Sequence, residues 1–135
     1  MKLLLTAMLI LLTITFSTVA QENQDEHLLD GTSMDYYYQN GSAVHVSFTD
    51  GQFNYKWIAG PNKGAEGTAP YRSRKIGDKM YFVNFHMNPS STFVTFVFNF
   101  NQNVMYSSAL IMPKTDQEMI LFEGGIIEHL ILKES

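Results

Sequence analysis

Four side chains in this sequence have the types and spacing for binding chemistry. Tyr36 and Tyr38, in the run DYYYQNG over residues 35–41, are two apart, so an extended chain points both phenols to one side. Lys56 sits between Tyr55 and Trp57, and His86 follows Phe85. A buried phenol needs a hydrogen-bond partner, and a ligand carboxylate or phenolate would satisfy two at once. The plainer reading is that tyrosine is a good strand residue. Lys56 shares its face with Asn54. Either that face is outward and the ammonium is solvated, or it is inward and the cation needs an anionic partner or a depressed pKa.

Other chemistry has little local support. His27, His45, His86 and His129 show no H-x-H or H-E-x-x-H spacing, so no metal site is indicated. There is no G-x-S-x-G elbow for serine–histidine catalysis. Gly60, Gly64 and Gly67 lie in a Gly- and Pro-rich loop that does not match a phosphate-binding loop, and no periodic helix follows it. No cofactor is implied. Asn40-Gly41-Ser42 is a glycosylation sequon, relevant only in a eukaryotic host.

The elements that must position these residues read as strands. From Gly31 onward, short aromatic and β-branched runs are separated by Gly, Asn, Asp and Pro, the rhythm of an all-β meander. The predicted strands are 33–39, 43–49, 53–58, 71–76, 80–87, 92–99 and 104–112, with two short runs at 119–122 and 126–132 split by Gly124-Gly125. Asn40-Gly41 and Asp50-Gly51 are hairpin signals that fit type I′ turns. Eight or nine strands in one open sheet would leave exposed edges, and closure removes them. The predicted fold is therefore a single antiparallel up-and-down β-barrel, wide enough to be filled by side chains or to hold one small ligand.

The 135 residues leave room for one domain. Residues 1–20 have a basic start at Lys2, an apolar stretch and small residues at Thr18 and Ala20, the pattern of a secretory signal peptide. The apolar run is short of the ~20 residues a spanning helix needs. Residues 21–30 read as a flexible acidic lead or the first turn of a short helix, and 31–135 as the barrel. The expected location is the periplasm or the exterior, with no membrane association after cleavage. Thirteen acidic residues against nine basic ones, without a basic run, argue against nucleic acid as a partner. The absence of cysteine excludes disulfides, thiol catalysis and a lipoprotein anchor. Monomer and homodimer both stay open.

The run DYYYQNG…VSF…FNYKWIAGPNKGAEGTAPY…MYFVNF…FVTFVFN resembles the core of the MoaF-like proteins and of the related phenolic acid decarboxylases, both lipocalin-like (calycin) barrels. The resemblance implies a barrel with an interior ligand site. In the decarboxylases, which use no cofactor, two tyrosines, an arginine and a glutamate act on hydroxycinnamic acids. Tyr36 and Tyr38 match the tyrosines, Lys56 stands at the arginine, and the glutamate position falls on Met87, or on His86 if the register slips by one. A thioether cannot carry a proton, so the resemblance points to a binding barrel without that reaction. The expected ligand is a small aromatic or anionic molecule held by Tyr36, Tyr38, Lys56 and His86. The rivals are a cofactor-free lyase or isomerase, which needs an ionisable group near the tyrosines, and a solidly packed protein-interaction domain with an exposed apolar patch.

Overall fold

The computed structural model describes residues 26–88 and 90–133. The expected leader and the first residues of the acidic lead lie outside the described residues. The described residues form eight antiparallel strands: β1 Ser33–Tyr38, β2 Ala43–Thr49, β3 Gln52–Ala59, β4 Glu66–Gly77, β5 Met80–Met87, β6 Thr92–Asn99, β7 Val104–Ile111 and β8 Met119–Ile131. Each pairs with the next, and β8 returns to β1, so the barrel is closed. Among the described strands, closure leaves no unpaired sheet edge to recruit another chain.

Two differences from the sequence reading bear on the site. β4 begins at Glu66, inside the stretch expected to be loop. Its residues 66–70 pair with β3, and 71–77 pair with β5. Pro70 sits where pairing passes from one neighbour to the other, a place where a missing N–H is tolerated. Gly67 is required there because the Tyr55 ring lies over it: a Cβ would come within 2.6 Å of the Tyr55 hydroxyl. The second difference is that Gly124-Gly125 does not break the last strand, so the count is eight. Gly125 packs against the Tyr37 carbonyl, 2.7 Å from where its Cβ would be, and the strand runs through.

The hairpins also differ from one another. Asp50 and Gly51 both have positive φ, 51° and 73°, as a type I′ turn requires. At Asn40-Gly41 only the glycine does. There the Asn40 side chain accepts the Ser42 N–H at 2.9 Å, an Asx-type contact that holds a different turn.

Alternation fills the interior with aromatic rings. Phe48 meets Phe53 and Tyr71 edge-on, with centroids 5.4 and 4.8 Å apart. Phe53 stacks on Phe85 at 4.5 Å, and Phe96 on Phe98 at 5.2 Å. Each such ring contributes roughly 1.5–3 kcal/mol by leaving water.

One end of this core is closed by residues 26–31, which form hydrogen-bonded turns. Leu29 is fully buried among the core residues. Asp30 accepts the Gly51 N–H at 3.1 Å and the Tyr71 hydroxyl at 2.8 Å. Ser73 Oγ donates to the Glu26 carbonyl at 2.7 Å and accepts the Leu28 N–H at 2.8 Å. The opposite end has no comparable plug among the described residues: Tyr55, Trp57, Met87, Leu121 and Glu123 are only half-buried there.

Candidate functional site

The half-buried end collects the tyrosines singled out in the sequence. Tyr36 and Tyr38 are both buried on the inner face, with ring centroids 5.3 Å apart and planes at 77°. Tyr38 lies roughly parallel to Trp57 at 6.3 Å, and Tyr36 leans on Phe96 at 5.9 Å. The Tyr38 hydroxyl and Ser107 Oγ are 3.4 Å apart. Tyr55 donates to the Met87 thioether at 3.8 Å. Both contacts are weak: the first is long for two hydroxyls, and sulfur is a poor acceptor.

All three phenols resist ionisation. Burial raises the Tyr36 pKa well above its ordinary value, reinforced by Tyr38 and then Tyr55. Burial also raises Tyr38, partly offset by hydrogen bonding to Ser107 and Tyr36, with the charge of Glu123 adding to the rise. Burial alone raises Tyr55. The tyrosines are therefore neutral donors at ordinary pH.

Glu123 was not among the residues expected from the sequence. It pairs with Ser107 across β7–β8, and residues directly opposite share a face. Ser107 is buried inside, so Glu123 points to the interior, near enough for its charge to act on Tyr38. The signal was present: Leu121, Glu123, Gly125 and Ile127 form a period-two series. Reading the glycine pair as a break hid it.

Lys56 and His86 are not brought to the tyrosines. Strand parity puts both on the outer face, and both are exposed. Lys56 alternates with inward Tyr55 and Trp57, and His86 with inward Phe85 and Met87. Met87, aligned by resemblance with a glutamate, does face the interior, where it accepts from Tyr55. Among the described residues every Lys and Arg is exposed, so the interior offers an anion no cationic partner there.

Lys56 instead borders an outer groove of about 510 Å³, together with His45, Ser47, Asn54 and Glu66. Beside it, Asp35 receives His45 Nδ1 at 2.6 Å and His129 Nδ1 at 3.0 Å. His129 reaches Asp35 from a bulge: the three β1 residues from Ser33 to Asp35 match four of β8, from Ile131 to Glu128. Its φ is 51°, in the left-handed region that non-glycine residues seldom enter and that histidine enters more often than most. Among the described residues no group of three or more His, Asp or Glu is arranged to hold a metal ion.

The model of one family, described as MoaF-like, matches residues 30–126. The chain belongs to the MoaF-like family. No curated protein matches it in sequence. Among solved structures it is similar to the "putative beta-lactamase from Burkholderia vietnamiensis", at 14% identity and a TM-score of 0.64, over 73% of this chain and 92% of that one. At that identity the likeness concerns the fold alone. The MoaF-like assignment and the closed eight-stranded barrel agree on a lipocalin-like architecture.

Proposed function

We propose that this MoaF-like barrel binds a small aromatic molecule through its half-buried end. The observation that supports it most is the poor use of the Tyr55 phenol, which has a thioether at 3.8 Å, beside Tyr38, whose hydroxyl lies 3.4 Å from Ser107 and also bonds with Tyr36. A ligand oxygen at ordinary hydrogen-bond distance would be a better partner for either. Trp57, Met87 and Leu121 supply apolar wall at the same end, the mix of apolar lining and few polar anchors that ligand sites share. Of the two ligand classes expected from the sequence, the aromatic one fits better. Glu123 repels an anion, and no interior cation among the described residues offsets it. The signal-peptide pattern of residues 1–20 supports binding in the periplasm or outside the cell.

The test is a thermal-shift series with small phenols, aryl alcohols and matched aromatic carboxylates. Neutral phenols should raise Tm, carboxylates should raise it less, and a Tyr38→Phe/Tyr55→Phe double variant should lose most of the gain. A double variant that responds like the parent to every compound removes the phenols from the site.

A second reading, a cofactor-free lyase or isomerase, is favoured by one observation: Glu123 is an ionisable group close enough to affect Tyr38. Positioned acid–base groups contribute typically ~10²–10⁴ in rate. Release of CO₂ or a change in ultraviolet absorbance with p-coumarate or ferulate, lost in Glu123→Gln, would establish that reading over simple binding. No turnover with such acids leaves binding alone.

A further inference from the structure

The outer face of β6–β8 carries a second feature that ligand binding does not use. Cross-strand pairing aligns Phe93, Leu110 and Ile120 in one row and Thr95, Ser108 and Phe122 in the next. Val97, Tyr106 and Gly124 follow, and then Asn99, Val104 and Ile126. None of these twelve positions is charged. Phe122 is 87% exposed, Ile120 79%, Ile126 59% and Tyr106 58%. The Tyr106 ring approaches Gly124, 3.3 Å from where a Cβ would be.

We infer that this face is the interface of a two-fold homodimer. Three arguments select a second copy. The first is area. With ~150–250 Å² for a fully open aromatic ring, the six large apolar residues of the face expose on the order of 700 Å², close to the ~800 Å² per partner of a standard stable interface. Apolar patches of this size seldom stay open on monomers. The second is charge. Each copy is acidic overall, with net charge −4, yet the face itself is neutral, so two copies meet without like charges in contact. Lys114, Asp116 and Glu118 stand on the loop just before β8 and supply a polar edge. The third is that a membrane-spanning barrel is the wrong alternative. Such barrels carry an apolar band all round and a polar lumen. Here the lumen is lined by Phe, and the opposite flank displays Lys56, Glu66, Arg72 and Arg74.

The interface has a consequence for the interior. β8 alternates Ile120 and Phe122 outward with Leu121 and Glu123 inward. Docking a second copy on the outward pair braces the strand that carries the interior carboxylate.

Sedimentation equilibrium on the purified protein tests the inference. The expected result is a particle of twice the chain mass, with Phe122→Glu weakening association at least ~100-fold, as loss of a central anchor does. The near-ultraviolet circular dichroism should be unchanged, because Phe122 is nearly open. Should that variant fold poorly, the cysteine-free chain allows a second measurement. Phe122→Cys should give a covalent dimer on oxidation, and Lys75→Cys on the far flank should not. A parent protein that sediments as a monomer throughout overturns the inference. So does a monomer in which Phe122→Glu abolishes binding to lipid vesicles or to a different protein, and so do two cysteine variants that cross-link equally.

Discussion

The two ends of this barrel use the same residue type to opposite effect. At the closed end, Tyr71 donates to Asp30 at 2.8 Å, under a plug made by Leu29. At the other end, Tyr38 and Tyr55 face a hydroxyl at 3.4 Å and a thioether at 3.8 Å. A buried phenol with a short charged partner is structural, because removing that partner leaves a desolvated donor. A phenol with a long or soft partner retains most of its capacity for another molecule. The difference lies in what the chain placed opposite each ring.

Truncating the plug is the most severe way to test this contrast. Leu29→Ala should cost about 2–5 kcal/mol, read from the denaturant midpoint, because it opens a cavity in a fully packed region. Leu121→Ala at the half-buried end should cost less than half as much, since that site is already partly solvated. Equal losses would mean that the two ends are packed alike and that the asymmetry carries no functional meaning.

Asp30→Ala comes next. It strips the Gly51 N–H of its acceptor and removes the Asp30 contact of the Tyr71 hydroxyl, which also accepts the Leu29 N–H at 3.2 Å, a loss of about 1–3 kcal/mol. Tyr71→Phe in the same background should add less than it costs in the parent, because part of what the hydroxyl contributes passes through Asp30. Fully additive losses would show that Asp30 holds the turn in some way other than through Tyr71.

Alkaline pH probes the other end. The raised pKa of Tyr36 and Tyr38 means that the folded state keeps protons the unfolded chain releases above about pH 10. Their contribution is therefore complete below the unfolded pKa and falls as pH rises towards the folded values. Linkage gives a slope approaching 1.4 kcal/mol per pH unit for fully buried Tyr36, with less from half-exposed Tyr55, whose surroundings water screens. A phenolate absorbance titration should show these tyrosines ionising late, together with unfolding. Early ionisation of all seven tyrosines would mean that water already reaches the cluster.

The sequence made the barrel legible because its strands alternate and its turns are marked by Asn-Gly, Asp-Gly and short polar runs. It also indicated that Tyr36 and Tyr38 share a face, since parity alone settles that. Which face was not legible for Lys56. An Asn-x-Lys alternation reads equally well as a solvated flank or as a polar lumen, and only pairing with β2 and β4 decides it. Glu123 was hidden for a different reason. Local glycine content suggested a break, whereas Tyr106, Met105 and the Tyr37 carbonyl fill the space that two missing side chains leave. The plug was hidden too, because a polar composition over 21–30 masks Leu29, which enters the core.

The finest test of the contrast separates stability from binding at single phenols. Tyr55→Phe should change folding stability by less than about 0.5 kcal/mol, because a thioether returns little for the donor it loses, and Tyr38→Phe should cost more, because it takes a hydrogen-bond partner from the buried Tyr36 hydroxyl. The same variants should weaken a phenolic ligand about tenfold, the ~1.4 kcal/mol of one good hydrogen bond, measured by calorimetry on compounds found by thermal shift. Tyr71→Phe should do the reverse, lowering stability while leaving ligand affinity at the parent value. A Tyr55→Phe variant that loses stability as Tyr71→Phe does would mean that the thioether contact holds the fold, and the two ends would then differ in packing but not in purpose.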